Sequence, residues 1–297
     1  MMKLLARASA SRRGPGSRSA IGTARAAALL GSLFVAFVGS SAGAESARPG
    51  ADASLAEIER CVTDSLPDTA GVIDFRVEAV DRTGVATASR AEMRWRQDES
   101  ERMQLVLRVS EPAETAGTAL LLVDREADPP EFFVRLPEIE KVRKVRAKRL
   151  RGPVLGTDFS YEDLKRLRDP LDRANLEVVG LAAVEDRPAW LLEAIPKPED
   201  RSEYGRVLTY VDQALCMPLK IDLYGHDEKL RKSLHAPISE VRAVDGAELP
   251  HVFVMEDHRR ETHTVVRIDD YEGSADLPAA LFTKRALAES TPAATAR

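Results

Sequence analysis

The pattern of apolar and polar residues changes once along this chain. Apolar residues recur at helical spacing over residues 55–66, with Ser54 placed to cap a helix and Pro67 placed to end it. From Ile73 onward the period falls to two, and apolar and charged residues alternate strictly over 73–79. The chain is therefore predicted to begin its fold with one helix and to continue as β-strands.

Eleven segments have the alternation or the β-branched and aromatic content of strands, and turn signals separate many of them. They cover residues 73–79, 93–96, 103–109, 118–123, 132–136, 176–182, 190–195, 207–211, 219–224, 252–255 and 263–268. Helical patterns are few: residues 55–66, a short piece near 161–167 and the C-terminal stretch. This content predicts an α+β, mainly β fold in which one antiparallel sheet curls on itself, with an apolar surface larger than the helices can cover.

The first 44 residues have the features of a secretory signal peptide. Basic residues lead into an apolar run over 26–38, and the small-residue site Ala42-Gly43-Ala44 places cleavage before Glu45. The alternative is an uncleaved membrane anchor, for which the run is short. We further expect a linker over 45–53, a single domain over 54–290 and a flexible tail over 291–297.

Charge excludes one class of function. Residues 1–44 hold six basic residues and no acidic one, so the remainder has 37 basic against 48 acidic residues. Nucleic-acid binding depends on neutralising phosphates and is not expected of so acidic a chain. Hydrophobic content of 44% is typical of a globular protein. Together with the leader, this predicts a soluble exported protein of the periplasm.

Two cysteines, Cys61 and Cys216, lie in the exported part. In an oxidising compartment a pair of cysteines favours one disulfide, which would join the first helix to a distant strand. Two buried thiols that never meet are the alternative.

Sequence motifs of catalysis are absent: there is no nucleophile elbow, phosphate-binding loop, dinucleotide fingerprint or zinc-protease signature. His258, Glu261 and His263 allow a metal cluster to be considered. On an extended strand the two histidines would face opposite sides, so a solvated, charged hairpin is the preferred interpretation. No catalytic residue, metal site or cofactor is predicted.

The most distinctive stretch runs from Leu136-Pro137 through the cations of 141–146 to Gly156-Thr157-Asp158-Phe159-Ser160-Tyr161-Glu162-Asp163-Leu164. It resembles the LolA-like family of exported bacterial proteins, also called outer membrane lipoprotein-sorting proteins. Five residues carry the motif: Gly156, Asp158, Phe159, Tyr161 and Asp163. Further similarity lies in residues 81–84, 117–121, 211–220 and 281–287, so the resemblance spans nearly all of the chain after the leader.

The resemblance implies a highly curved, unclosed antiparallel β-barrel of about 11 strands, with a few helices covering its concave face. It implies a carrier of lipid or lipidated protein cargo between the inner and outer membranes, without catalysis. Its partners would be an inner-membrane exporter of the RND type and an outer-membrane acceptor, and a monomer is expected. A sensor of lipid or lipoprotein on the same fold is the alternative function, and an envelope hydrolase is the weaker one.

A carrier needs a sheltered apolar surface, since exposing an acyl chain to water costs about 0.8 kcal/mol per methylene. Seven apolar residues on one face of the first strands are the candidate lining: Ile73, Phe75, Val77, Met93, Trp95, Leu105 and Leu107. The alternative interpretation for any one of these residues is that it belongs to the ordinary hydrophobic core beneath a helix.

The segment 141–151, here called the basic run, concentrates seven cations in an otherwise acidic protein. It is either the solvated face of a strand and loop or a docking patch for anionic headgroups or an acidic partner surface. The candidate patch residues are Lys141, Arg143, Lys144, Arg146, Lys148 and Arg149. In the motif, Gly156 is expected at positive φ, and Ser160 with Asp163 is expected to form a capping box that starts a short helix.

Overall fold

The computed structural model describes residues 49–65, 70–100, 102–124, 130–139, 141–146, 152–168, 171, 175–244 and 247–289. The predicted leader (1–44), residues 45–48 of the linker and the C-terminal tail lie outside these residues, as do Lys148, Arg149 and Pro67. No helix among the described residues is both long and apolar enough to cross a membrane.

The described residues form mostly strands, with three α-helices among them. The helices are α1 (Leu55–Ser65), α2 (Tyr161–Arg168) and α3 (Lys284–Ala288). The strands of the first half are β1 (Ala70–Val80), β2 (Ala86–Gln97), β3 (Met103–Glu111), β4 (Ala119–Val123), β5 (Glu131–Arg135) and β6 (Val142–Lys144). Those of the second half are β7 (Leu176–Val184), β8 (Arg187–Ala194), β9 (Tyr204–Asp212), β10 (Met217–Gly225), β11 (Leu230–His235), β12 (Val241–Val244), β13 (Ala247–Pro250), β14 (Val252–Asp257) and β15 (Thr262–Gly273).

Thirteen strands form one sheet in the order β6-β5-β4-β3-β2-β1-β15-β14-β11-β10-β9-β8-β7, and β12 pairs with β13 in a separate hairpin. Every neighbouring pair with a described register is antiparallel, and β6 and β7 are the two edges. The predicted unclosed, curved antiparallel sheet is thereby confirmed. The expected count of about 11 strands is too low, because β6, β11, β12 and β13 are short or charged and lack the alternation that identified the others.

Two apolar clusters share the inner face, defined here as the face on which α1 and α2 pack. The first cluster, which we call the closed core, includes Ile58 and Val62 of α1, which pack with Trp190 and Leu192 of β8. The second cluster lies on β1 to β5 and includes Tyr161 and Leu164 of α2. The helices therefore cover the two halves of the inner face separately.

The outer face is not charged throughout, which corrects the simplest interpretation of the alternation. At one end, Phe282 and Leu287 of the C-terminal segment pack on Val106, Leu121 and Phe133. At the other end, the β12–β13 region packs on the outer residues of β8 and β10. Hence α3 covers the outer face, and only α1 and α2 cover the concave face as expected.

Cys61 of α1 and Cys216 form the predicted disulfide, with a Cα–Cα distance of 5.4 Å. Cys216 lies in the turn between β9 and β10, just before the strand to which it was expected to belong. The Ser65 hydroxyl also donates to the Cys216 carbonyl at 2.7 Å. The C-terminal part of α1 is thus fixed to this turn by one covalent and one hydrogen bond.

Candidate functional site

The candidate site is the second inner-face cluster. All seven predicted lining residues belong to it, five as buried residues and Met93 and Leu105 as partly buried ones. The register explains their proximity, because Ile73 pairs with Met93 across β1 and β2, and Trp95 pairs with Leu105 across β2 and β3. Strand alternation puts such partners on one face. We call these seven residues the inner apolar patch.

Cover over the inner apolar patch comes from the segment that follows β6. Val145, Val154, Tyr161 and Leu164 all pack in this cluster. The Tyr161 ring meets Phe132 of β5 edge to face, with ring centroids 5.2 Å apart. The cover is thus a loop and one eight-residue helix.

The two halves of the inner face are not closed to the same degree. In the closed core, Ile58, Trp190, Leu192 and Val211 have no solvent exposure. In the inner apolar patch, the five buried members each keep between 7% and 9% exposure. The seven residues are therefore core-like in packing but reachable from solvent.

Trp95 is the largest side chain of the inner apolar patch, and its position depends on a glycine. Gly71 pairs directly with Trp95, and a Cβ at Gly71 would come within 2.5 Å of the indole ring. On the other side the indole lies 6.0 Å from the Tyr271 ring, centroid to centroid. A side chain at position 71 would displace the indole from the strand surface.

The family motif forms the turn that leads into α2. Gly156 has a φ of +81°, as expected, and the neighbouring Leu155 has a φ of +52°. The capping box is also present: the Ser160 amide donates to the Asp163 carboxylate at 2.7 Å, and the Asp163 amide donates to the Ser160 hydroxyl at 3.1 Å. Residues 156–164 are called the motif loop below.

Buried carboxylates of the motif loop hold it to the other half of the sheet. Asp158 accepts hydrogen bonds from the hydroxyls of Thr262 and Thr264 on β15. Asp163 accepts from the Tyr204 hydroxyl of β9 at 2.7 Å and from the Lys232 ammonium of β11 at 2.8 Å. The motif residues are thus anchors of the cover rather than groups directed at a ligand.

A second set of contacts supports this anchor. Glu162 accepts from the Ser202 hydroxyl and from the Glu203 amide. Burial raises the pKa of Glu203, with Asp163 and Glu162 raising it further against the opposing effect of Lys232 and Arg231. Burial also raises the pKa of Tyr204, so its phenol stays protonated and remains a donor to Asp163.

Sequence reasoning missed the partners Tyr204, Lys232, Glu203 and Thr264. Lys232 lies in β11, whose neighbouring charges hide its strand character, and its side chain is only 5% exposed. No local signal shows that a lysine is buried when its partner is 69 residues away. Tyr204 and Thr264, by contrast, lie in or next to segments that were identified as strands.

The described part of the basic run forms the edge of the sheet. Lys141, Arg143, Lys144 and Arg146 are exposed at or beside β6. Lys144 forms an ion pair with Glu131 of β5, whereas the structure gives the other three no ion-pair partner among the described residues. Charged side chains on a short edge strand also prevent unwanted strand pairing. Both predicted interpretations therefore fit this geometry.

The histidines considered for a metal site lie around the β14–β15 turn, where the charged hairpin was expected. His258 is 3.0 Å from the Ser233 hydroxyl oxygen. Within the residues described, no group of three or more histidine, cysteine, aspartate or glutamate side chains is placed to hold a metal ion.

Solved structures share this open antiparallel sheet, and their descriptions name the class of fold. A DUF1329 family protein from Desulfovibrio piger aligns with a TM-score of 0.72 and 19% identity over 78% of this chain and 96% of its own. A domain from Vibrio parahaemolyticus, described as of the outer membrane lipoprotein-sorting type, aligns with a TM-score of 0.69 and 19% identity over 78% and 97%. A LolA superfamily protein from Nitrosomonas europaea aligns with a TM-score of 0.64 and 18% identity over 79% and 99%.

A family model matches residues 101–289, more than half of the chain, and its description is "uncharacterized protein". The chain therefore belongs to the family that this model describes, and the three solved structures show that its fold is LolA-like. No curated protein shows a significant match.

Proposed function

We propose that this protein is a carrier that shelters the acyl chains of a lipid or lipidated protein on the inner apolar patch. The residual exposure of the five buried patch residues, beside a closed core whose central residues Ile58, Trp190, Leu192 and Val211 have none, is the observation that supports this most. The solved structure described as a lipoprotein-sorting domain shares the fold and is consistent with such cargo.

The physical demand on such a carrier is large. Moving a chain of about 16 carbons through water costs on the order of 10 kcal/mol, at about 0.8 kcal/mol per methylene. The protein lowers this barrier if the inner apolar patch gives up its contacts with the covering loop and α2 and makes contacts with the acyl chain in their place. For this purpose the inner apolar patch offers an indole, a phenyl ring, one methionine and four branched aliphatic side chains, and no charge.

The anchoring of the motif loop constrains how cargo would enter. Asp158 holds the loop to β15, which is next to β1, and Asp163 holds it to the more distant β9 and β11. We propose that α2 stays in place while the side chains of Tyr161 and Leu164 move aside. Cargo then enters along β1 to β3.

The setting of the proposed function is the envelope of a bacterium. The leader over 1–44 would direct export, and the mature protein would work in the periplasm as a monomer. An RND-type inner-membrane exporter would supply cargo and an outer-membrane acceptor would receive it. The basic run would orient the carrier on anionic headgroups, and no covalent step is required.

The two tryptophans allow a direct test, because Trp95 lies in the inner apolar patch and Trp190 in the closed core. A fatty acid brominated along its chain quenches an indole that it touches. In Trp190→Phe, where only Trp95 emits, we expect saturable quenching on addition of the brominated acid. In the matched Trp95→Phe variant we expect none. Equal quenching of both, or of neither, would contradict this assignment.

Gly71→Val provides the control for the geometry of the site. Its side chain would push the Trp95 indole off the strand surface and press on the Glu272 carbonyl oxygen, 2.8 Å from the added Cβ. Acid binding should therefore weaken, and circular dichroism checks that the variant is folded. Gly84→Val, at an exposed turn where a Cβ would touch nothing, should leave acid affinity unchanged even if stability falls.

A further inference from the structure

The two edges of the sheet have opposite character. β6 has three residues, and exposed cations lie on and beside it. β7 has nine residues, Leu176–Val184, and Glu177 is its single charged side chain. Short length, charge and bulges are the usual means by which a sheet edge is protected from strand addition. β7 is long and nearly uncharged, and one bulge between Val178 and Gly180 interrupts its ladder with β8.

Apolar side chains remain exposed along β7. Val178, Val179 and Leu181 are 37%, 46% and 58% exposed, whereas most large apolar residues of the described sheet are buried. Val178 pairs with Leu192 and Leu181 pairs with Trp190, so both belong to the inner face. The apolar inner surface thus extends beyond the closed core to the edge of the sheet.

The backbone of β7 is paired only on the side of β8. No other described strand pairs with it, and strand edges with unpaired amide and carbonyl groups accept an added strand. Nine residues span about 30 Å, enough for an extended segment to add along the whole edge. We infer that β7 binds an extended segment of a partner protein by β-strand addition.

Charge at the two ends of β7 indicates the chemistry of that segment. Glu177 at one end and Asp186 after the other are exposed and form no ion pair with a described cation. A complementary segment has apolar residues at alternate positions, to pack beside Val178 and Leu181, and basic residues at both ends.

A second copy of the chain fits this edge less well. Antiparallel pairing of β7 with itself about Leu181 would place Glu177 of one copy directly opposite Glu185 of the other at each end. Like charges this close across strands are unfavourable. A basic-flanked partner meets the same acidic ends with opposite charge.

The experiment uses the chain from Glu45 to Arg297 and a fluorescein-labelled peptide of alternating valine and threonine with two lysines at each end. Anisotropy should show saturable binding, which Leu181→Lys weakens by about tenfold or more. The matched variant Val85→Lys changes another exposed apolar residue, distant in the sheet order, and should bind as the unmodified chain does. A peptide N-methylated at alternate residues should not bind, because it cannot complete the strand ladder.

Several results would overturn this inference. Absence of peptide binding, equal binding of the N-methylated peptide, or insensitivity to Leu181→Lys in a variant with a native circular dichroism spectrum would each do so. A dimer in sedimentation that Leu181→Lys dissociates would assign the edge to a second copy instead. Replacement of the terminal lysines by glutamates should weaken binding, and an unchanged affinity would refute the charge argument.

Discussion

The Lys232 ammonium of β11 donates a hydrogen bond to the Asp163 carboxylate of α2 at 2.8 Å, and both side chains are almost completely buried. This contact joins the cover of the inner apolar patch to the opposite half of the sheet. The Tyr204 hydroxyl donates to the same carboxylate. The position of α2 over the sheet therefore depends on a small buried polar network.

Removal of one partner from this pair should be strongly destabilising. Lys232→Met leaves the Asp163 carboxylate buried with one charged donor fewer, and Asp163→Asn removes the nearer of the two charge partners of the ammonium. In Asp163→Asn the ammonium keeps only the Glu203 carboxylate, 3.9 Å away, as a charge partner. For each variant we expect a loss of about 3 kcal/mol in the free energy of unfolding, measured in urea. The double variant should lose less than the sum of the two single losses. Strict additivity would show that the two groups do not interact.

An acidic row on the outer face should lower stability at neutral pH. Asp74 of β1 pairs directly with Glu92 of β2 and Asp270 of β15. Burial raises the pKa of Asp74, and the two neighbouring carboxylates raise it further. Asp74→Asn should therefore increase the free energy of unfolding at pH 7 by about 0.5 kcal/mol.

The stability gain from Asp74→Asn should depend on pH. Ionised Asp74 is disfavoured in the folded state, so the gain from Asp74→Asn is complete above the raised folded pKa. It disappears as the pH falls below the ordinary value of 3.8, where Asp74 is protonated in both states. The control is Glu78→Gln on the same strand, whose direct partners are Ala88 and Val265. A gain from Asp74→Asn that is the same at pH 3 and pH 7 would contradict the argument.

The disulfide between Cys61 and Cys216 closes a loop with a sequence separation of 155 residues. In the chain-entropy model such a loop contributes about 5 kcal/mol, and measured losses for native disulfides are about 2–5 kcal/mol. The double variant Cys61→Ala, Cys216→Ala should lose this amount in urea unfolding and stay folded, because Ile58 and Val62 still pack α1 on the sheet. A reductant should lower the stability of the unmodified chain equally and leave the variant unchanged. If the reductant has no effect on either chain, the disulfide does not stabilise the fold.

The basic run should bind anionic membranes if the proposed orientation is correct. Each cation near such a surface contributes about 1 kcal/mol. The triple variant Lys141→Glu, Arg143→Glu, Arg146→Glu should weaken sedimentation with phosphatidylglycerol vesicles by about tenfold or more, and less so at high salt. The control reverses three exposed cations elsewhere, Arg82, Lys229 and Arg259. Equal losses of vesicle binding in both variants would show that binding depends on net charge and not on the position of the basic run.

Alternation was enough to predict the inner apolar patch. Trp95 and Leu105 lie on one face because each follows the period of two within its own strand, and the register then makes them partners. The capping box of Ser160 and Asp163 was also local, since its two residues are three apart. Features of this kind are set by short-range geometry and can be derived from one sequence.

Long-range partners could not be derived in the same way. β11 was missed because Arg231 and Lys232 interrupt its pattern, and Lys232 is buried only because Asp163 reaches it from α2. The outer-face cover was missed although a signal existed. Leu120, Leu121 and Leu122 are consecutive, and a strand apolar on both faces requires a layer on each side.

The central claim is that the mature protein carries a lipid or lipidated ligand on its inner apolar patch. Native mass spectrometry of the chain from Glu45 to Arg297, purified from a bacterial periplasm without detergent, tests it most directly. We predict added mass that organic extraction identifies as lipid, and that is lost in the folded variant Leu105→Asp. A mass equal to the polypeptide alone, with no lipid taken up from liposomes, would contradict the claim.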